Sequence, residues 1–490
     1  MSSRNLLKNP CFQAIDLGSP MPDSPHAVSV ALPRWEDVIA YEEKIPSCIQ
    51  ALKTVYPRFG LNPLVASVAR KLLKEKALAG WSAWPYQHLA NAEKAKKYCI
   101  DSTSEAKAFI QKELGLQCLL TDPKATPAAR SFWQHAGLGA SSRLAAIATS
   151  KEKCPASSVG AKAKNQIKRR LANIYSCLPK NIFLRPSGMA ALHSALEVIE
   201  TFNPKTATLQ LGFPYVDVLK LPKVIFSGSD LLLSTNQQII ENQLDKKKPS
   251  AVIVEIPSNP LLRCVDLPLI AKLAHSRNIP VIVDDTVGSS LNVNTIPYAD
   301  LIFSSLTKSF AGRGDILAGS LIISPESKWE KEFHQILSKN NYSDLSDPDA
   351  IALEEASRDV QERLSRLNSA CIALKNKLES HPAVSRVLHP QGCKNFRSIM
   401  KAEAGFGCLL SFELKGGIEA VKNFYDNVEI CKGPSLGTDF TLMCPYVLLA
   451  HYGELRWAND CGVPETLLRV SVGLEDPETL WNRFKKTLDK

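Results

Sequence analysis

No stretch of this chain approaches the ~18 consecutive apolar residues of a membrane-spanning helix. Near the N-terminus, Asn9, Pro10 and Asp16 interrupt any apolar signal segment, so a cytoplasmic location is the expectation. Paired cysteines are missing as well: the 13 cysteines contain no Cys-x-x-Cys spacing, which removes the usual zinc and redox-motif readings. Several, including Cys264 and Cys408, sit in or beside apolar runs, as buried free thiols of a reducing compartment do. Dinucleotide and P-loop glycine clusters are absent, and so are internal repeats and low-complexity tracts. The formal charge of +10 is spread over lysines of expected helix faces, at 71–76, 91–97 and 161–170, without the interleaved aromatics of a nucleic-acid groove. Nucleic acid, membrane and metal are therefore not expected partners. What is present is 490 residues, 45% hydrophobic and 22% charged, the composition of an ordinary globular protein of two or three domains.

The most informative segment is SSLTKSFAGRGDILAGS, 304–320, in which Lys308 stands among hydroxyls and glycines just after an apolar run. A lysine so placed can form a Schiff base with a carbonyl cofactor, while hydroxyls and backbone N–H groups hold a phosphate. Alone, it reads sooner as a surface turn. Upstream, AVIVEI (251–256), IPVIVDDTVG (279–288) and ADLIFSS (299–305) are short Val/Ile-rich runs, with helical periodicity over 265–276. They read as parallel strands covered by helices, and the ligand site of such a sheet lies at the carboxyl ends of its strands. Glu255 to Asn259, Asp284 and Lys308 then share one sheet edge. A strand-end carboxylate can keep a pyridine nitrogen protonated, a lysine can carry an aldehyde, and Asn259 can hydrogen-bond a ring hydroxyl. Asp284 alone is also an ordinary turn carboxylate. Taken together, the spacing favours a pyridoxal 5'-phosphate (PLP) site. Ser187 and Gly188, opening the expected helix after KNIFLRP, are a phosphate-binding candidate that alone reads as a helix cap.

Along the rest of the chain, 1–34 reads as irregular, Trp35 to Ile49 as helix and YPRFGLN (56–62) as loop. Helices are expected at 63–79, 86–98, 103–113, 131–149 and 159–176, and further sheet strands at 206–212, 222–226 and 251–255. One long helix is expected over 346–379, followed by strands in VSRVLHP, GCLLSFEL and LLRVSVGLE with a helix near 418–426. The expected domains are an N-terminal extension (1–179), a large α/β domain with a mostly parallel sheet (180–365) and a small C-terminal α+β domain (366–490).

The segments PSGMAAL (186–192), EIPSNPLLRCVDLPLIAKLAH (255–275), VIVDDTVG (281–288), LTKSFAGRGDILAGS (306–320), SLG (435–437) and LRVSVGLEDPE (468–478) together resemble the Cys/Met-metabolism family of PLP enzymes. SRDVQERLSRLN (357–368), LPRWEDVIAYEE and YPRFG look most like the fungal branch of its cystathionine gamma-synthases. The resemblance implies a fold type I, aspartate-aminotransferase-like large domain. It implies that Lys308 carries the cofactor, Asp284 supports the pyridine nitrogen and Tyr215 stacks on the ring and assists proton transfer. Gly188, Met189, Ser305 and Thr307 would hold the phosphate, with Thr286 beside the ring. Arg469 would bind the substrate carboxylate, a role that also suits a bidentate guanidinium, and Asn259 and Ser435 would orient cofactor and substrate. Tyr56 and Arg58 resemble a loop that reaches a neighbouring subunit's phosphate, and a homodimer or homotetramer is implied. Asp285 stands where the family usually has Asn, and Gly312-Arg313-Gly314-Asp315 replaces its Gly-His-Ser-Asp-like segment.

The implied reaction is gamma-replacement on an O-acyl-L-homoserine, with acetyl and succinyl esters both open. Cysteine as nucleophile gives L-cystathionine. A carbon nucleophile in secondary metabolism, a cystathionine or methionine lyase, and a cofactor-free scaffold are the alternatives.

Overall fold

The computed structural model describes residues 4–339 and 343–490. An N-terminal layer contains the antiparallel strands β1 (Ser82–Tyr86), β2 (Ala108–Glu113) and β3 (Leu116–Thr121) in the order β1-β3-β2. A seven-stranded sheet follows, made of β4 (Ile182–Arg185), β5 (Thr208–Leu211), β6 (Ser229–Leu232), β7 (Val252–Glu255), β8 (Val281–Asp284), β9 (Leu301–Ser305) and β10 (Gly319–Ile323). Its order is β4-β10-β9-β8-β7-β5-β6; β5 to β9 pair in parallel, and β10 runs antiparallel to both its neighbours. The last sheet, in the order β11-β12-β15-β14-β13, comprises β11 (Val384–Leu388), β12 (Leu409–Leu414), β13 (Cys431–Lys432), β14 (Leu442–Pro445) and β15 (Leu468–Ser471).

The Val/Ile runs form the centre of the large sheet because both of its faces are covered. Val252, Val254, Val281 and Val283 join one apolar cluster, whereas Ile253, Ile282 and Phe303 join another on the opposite face. Each such fully buried aliphatic side chain contributes roughly 1.5–3 kcal/mol. With both faces dry, the polar residues that end β7, β8 and β9 are confined to the sheet's carboxyl edge. Glu255 and Asp284 are register partners across β7 and β8.

Several elements differ from expectation. Residues 103–113 are not helix; the segment supplies β2, which turns into β3 through Leu114 and Gly115 at φ 50° and 81°. Residues 222–225 are the last turn of the helix Val216–Ile225 and Phe226 its extended C-cap, and the strand lies further on at β6. The stretch 346–379 is two helices, Asp347–Ala356 and Val360–Glu379. Trp35–Ile49 likewise divides into Trp35–Glu42 and the start of Pro46–Ala51, and 131–149 falls into Thr126–Ala136 and Ser142–Ala148. Among the described residues, no helix is long and apolar enough to cross a membrane.

Strand β10 presses against the start of the helix Gly188–Phe202. A Cβ at Gly319 would lie 2.1 Å from the Ser187 carbonyl oxygen and 2.8 Å from the Gly188 nitrogen. Both obstacles are main chain, so Gly319→Ala is expected to cost ~3 kcal/mol or more of stability. The same displacement should weaken anion binding at Gly188. Denaturant titration and phosphate-protection assays check the two effects, and wild-type behaviour in both would contradict the close approach.

Candidate active site

The carboxyl edge of the sheet opens into a cavity of about 180 Å³. All the residues singled out in the sequence line it: Tyr56, Arg58, Ser187, Gly188, Met189, Tyr215, Asn259, Asp284, Thr286, Ser305, Thr307, Lys308, Ser435 and Arg469. Lys308 leaves β9 after three residues, and its Nζ donates to Ser435 Oγ at 3.0 Å and to Tyr56 Oη at 3.3 Å. The ammonium also lies 5.2 Å from the centre of the Tyr56 ring.

Asp284 ends β8, 4% exposed, and its Oδ1 accepts the Thr286 N–H at 2.9 Å. Burial raises this carboxyl to about 6, against the hydrogen bonds from Thr286. Thr286 Oγ1 in turn accepts the Ser305 N–H at 2.9 Å, which ties the end of β8 to the end of β9. Glu255, ending β7, accepts the Tyr215 and Asn259 N–H groups at 2.8 and 3.2 Å. Its own burial and the neighbouring Asp284 charge push it well above the carboxylate range.

Arg469 comes from β15 and is 5% exposed. It donates to Asn259 Oδ1 at 3.2 Å and to the Ser435 carbonyl at 2.7 Å, while its buried Nε has no hydrogen-bond partner among the described residues. A buried guanidinium that lines the cavity can take a carboxylate.

Some side chains are already engaged. Ser187 caps the helix Gly188–Phe202, accepting from Ala190 N at 3.0 Å and donating to the Gly137 carbonyl at 2.9 Å. The Thr307 hydroxyl bonds the backbone of Ala318 at 3.1 and 3.2 Å. Arg58 donates to Asp217 and to the Leu449 and Ala450 carbonyls. The groups left facing the cavity for an anion are the first N–H groups of the helix, at Gly188 and Met189, and the neighbouring Ser305.

The Tyr56–Arg58 loop closes over the cavity of its own chain. Arg58 anchors it there on the carbonyls that end the helix Tyr446–Ala450. Sequence reasoning missed Asp217 and His135. Asp217 lies two residues beyond Tyr215 and is 1% exposed; His135 approaches it from the helix Thr126–Ala136, with Nδ1 3.2 Å from Asp217 Oδ1. An aspartate two residues after the tyrosine expected to stack on the ring is the one signal available in the sequence.

Asp285 lies beneath Asp284, fully buried, and accepts the Tyr175 hydroxyl at 2.8 Å. Burial raises it to about 7, the Tyr175 hydrogen bond opposing and the Asp284 charge reinforcing. An acid raised from 3.8 in the folded state binds a proton there that the unfolded chain has lost, so its stabilising effect fades as pH rises through about 7. Asp285→Asn is expected to match wild-type stability near pH 4 and to gain progressively above it, by ~4 kcal/mol at most. Equal stability of variant and wild type at pH 5 and pH 8 would contradict the shift.

The chain is similar to several known proteins. Cystathionine gamma-synthase of Neurospora crassa is 29% identical, with 96% of this chain and 98% of that protein covered. The cystathionine gamma-synthase-like enzyme iboG1 of Amanita muscaria is 28% identical over 97% of this chain and 98% of its own length. A crystal structure of cystathionine gamma synthase from Xanthomonas oryzae pv. oryzae in complex with cystathionine superposes with a TM-score of 0.59 at 23% identity. It covers 69% of this chain and 88% of that one, a likeness of fold: the fold type I, aminotransferase-like large domain with a smaller α+β domain. Residues 156–489 match the model of the family described as Cys/Met metabolism PLP-dependent enzyme. The chain therefore belongs to the Cys/Met metabolism PLP-dependent enzyme family, and its cofactor is PLP.

Proposed function

We propose that the protein catalyses gamma-replacement on an O-acyl-L-homoserine, with L-cysteine as nucleophile and L-cystathionine as product. The ester Cγ–O bond breaks, the thiol sulfur bonds to Cγ, and the thiol proton leaves with the released carboxylic acid. The observation that carries this reading is the lining of one cavity by Lys308, the buried Arg469 and the buried Asp284. Similarity to a fungal cystathionine gamma-synthase over nearly the whole of both chains supports it.

The donor set suits PLP. An amine, a strand-end carboxylate and main-chain N–H groups at a helix start match its aldehyde, pyridine nitrogen and phosphate. When bound, PLP supplies an electron sink for charge that develops on the substrate's α-carbon. The chain's residues do the rest. Asp284 would hold a proton on the pyridine nitrogen, and Gly188, Met189 and Ser305 would hold the phosphate. Tyr215 would pack on the ring, and Arg469 with Asn259 would grip the substrate carboxylate. The Lys308 amine moves protons at the α- and β-carbons.

A second reading replaces cysteine by a carbon nucleophile. Arg58, the remaining cation that lines the cavity among the described residues, has each of its three nitrogens engaged by protein oxygens, and Val28, Pro57, Trp133, Ala140 and Leu317 add apolar wall. A second amino acid's carboxylate would find little there, whereas an uncharged carbon acid fits. Purified holoenzyme offered both homoserine esters with cysteine or with β-dicarbonyl compounds decides between them. Cystathionine formation supports the first reading; consumption of the carbon acid alone overturns it.

A further inference from the structure

A second cavity, of about 590 Å³, lies beyond the active site and is walled in part by the chain that follows β7 and the chain that follows β11. Much of its lining is apolar, Leu211, Phe213, Leu261 and Val265 included, and its two cations are Arg263 and Lys394. Both are exposed, and among the described residues neither side chain has an ion-pair or hydrogen-bond partner. The one acid in the lining is Glu255, on the wall shared with the active site. Its burial and the Asp284 charge push it well above the carboxylate range, so it offsets little of that positive charge. His389, brought down to about 4 by its burial, is a neutral part of the wall. We infer that this cavity binds an anionic disulfide of low molecular mass, of the amino-acid or peptide type, and that Cys393 is the thiol that exchanges with it.

Three cysteines line the cavity: Cys264, Cys393 and Cys461. Cys264 is 6% exposed, whereas Cys393 is half-buried. Cys393 Sγ lies 4.0 Å from the Cys264 carbonyl oxygen, and Asn395 Nδ2 donates to that same oxygen at 3.0 Å. The Asn395 bond thus pins together two cysteines that are 129 positions apart. Their surroundings divide the two thiols. The Cys264 thiol, followed by the main-chain N–H groups of Phe396, Cys264 and Asn395, favours a thiolate at Cys393 and brings it down to about 5 against its burial. Burial and the neighbouring Cys393 sulfur push Cys264 up. The thiolate is the attacking species in disulfide exchange, so Cys393 is the nucleophile and Cys264 the proton-bearing neighbour.

Recognition follows from the rest of the lining. A guanidinium without a protein partner takes a carboxylate in a bidentate fork, the Lys394 ammonium takes a second, and apolar walls enclose the body between them. In the exchange the Cys393 thiolate attacks one sulfur of the bound disulfide. A new S–S bond forms as the old one breaks, and the other half leaves as a thiolate that takes a proton from water. Cys393 is oxidised and the disulfide reduced, so no other oxidant enters.

The test treats holoenzyme with oxidised glutathione at pH 6 and pH 8, stops the reaction by alkylation and maps blocked cysteines by peptide mass. Cys393 is expected to close at least tenfold faster than Cys461 and the exposed Cys154, and to stay reactive at pH 6, where a thiol of ordinary pKa near ~8.5 is protonated. In the double variant Arg263→Ser, Lys394→Ser the rate with oxidised glutathione should fall at least tenfold, while the rate with uncharged hydroxyethyl disulfide stays within twofold of wild type. Both side chains are exposed, and the wild-type map decides the site independently of this variant. Blocking of Cys154 or Cys461 ahead of Cys393 overturns the proposal, as does an equal loss of rate for the charged and the uncharged disulfide.

Discussion

Lys308→Ala is expected to abolish turnover, kcat falling by ~10³-fold or more, because among the described residues it is the only lysine that lines the cavity. The loss should be chemical rather than structural. Lys308 is half-buried and bonds only the Ser435 and Tyr56 hydroxyls, both of which can turn to water in its absence. Unfolding by denaturant should therefore change by about 1 kcal/mol or less. Borohydride reduction in the presence of PLP, followed by peptide mass analysis, should place the cofactor's mass on the peptide containing Lys308 in the wild type and nowhere in the variant. A label on another lysine, or an active Lys308→Ala protein, would remove the basis of the functional assignment. Lys308→Arg separates charge from nucleophilicity: a guanidinium keeps the positive charge beside Tyr56 but cannot lose its proton, so it should be as inactive as alanine.

The second large effect belongs to Asp284. Asp284→Asn keeps the shape and the bond from Thr286 N but removes the charge that would hold a proton on the pyridine nitrogen. A drop of ~10²–10³ in kcat is expected, with carboxylate binding at Arg469 little changed. The pH dependence supplies a separate check. Asp284 titrates at about 6, and only its ionised form would pair with a protonated ring. As pH falls through about 6 the carboxyl takes up a proton, so PLP affinity should decline by about tenfold per pH unit below that point. The asparagine variant should show weaker binding without that slope. Equal slopes in the two proteins would mean that Asp284 does not face the ring nitrogen.

Much of this arrangement was legible from residue order, and the parts that were not have identifiable causes. The Val/Ile runs of β7, β8 and β9 announced themselves because strands dry on both faces leave polar residues only at their ends. Glu255, Asp284 and Lys308 could therefore be brought together across more than fifty positions. The hairpin β2–β3 stayed hidden because its turn places Leu114 at a positive φ that leucine does not advertise. Strand β6, SDLL, reads as polar because it is an edge strand with three of its four residues only half-buried. The division between Asp347–Ala356 and Val360–Glu379 falls at Ser357 to Asp359, with neither glycine nor proline to mark it. In the site, residue types were readable but not their engagements. Ser187 and Thr307 have hydroxyls suited to a phosphate, and only the folded chain reveals that both bond the backbone. His135 lies outside every recognisable motif, and its meeting with Asp217 depends on how the N-terminal layer folds over the sheet.

That layer is bound to the far end of the chain. The Leu32 N–H donates to the Lys432 carbonyl at 2.8 Å, Tyr425 Oη to the Leu32 carbonyl at 2.8 Å, and the Lys432 ammonium to the Pro33 carbonyl at 3.1 Å across 399 positions. During synthesis at ~5–20 residues per second, the first segment to emerge waits roughly 20–80 s for its partners. The large sheet, with Lys308 already on it, is complete well before then. Closure of the cavity by Tyr56 is thus placed late in folding, and a chain that stops short of β13 loses the anchor of the segment leading to that tyrosine.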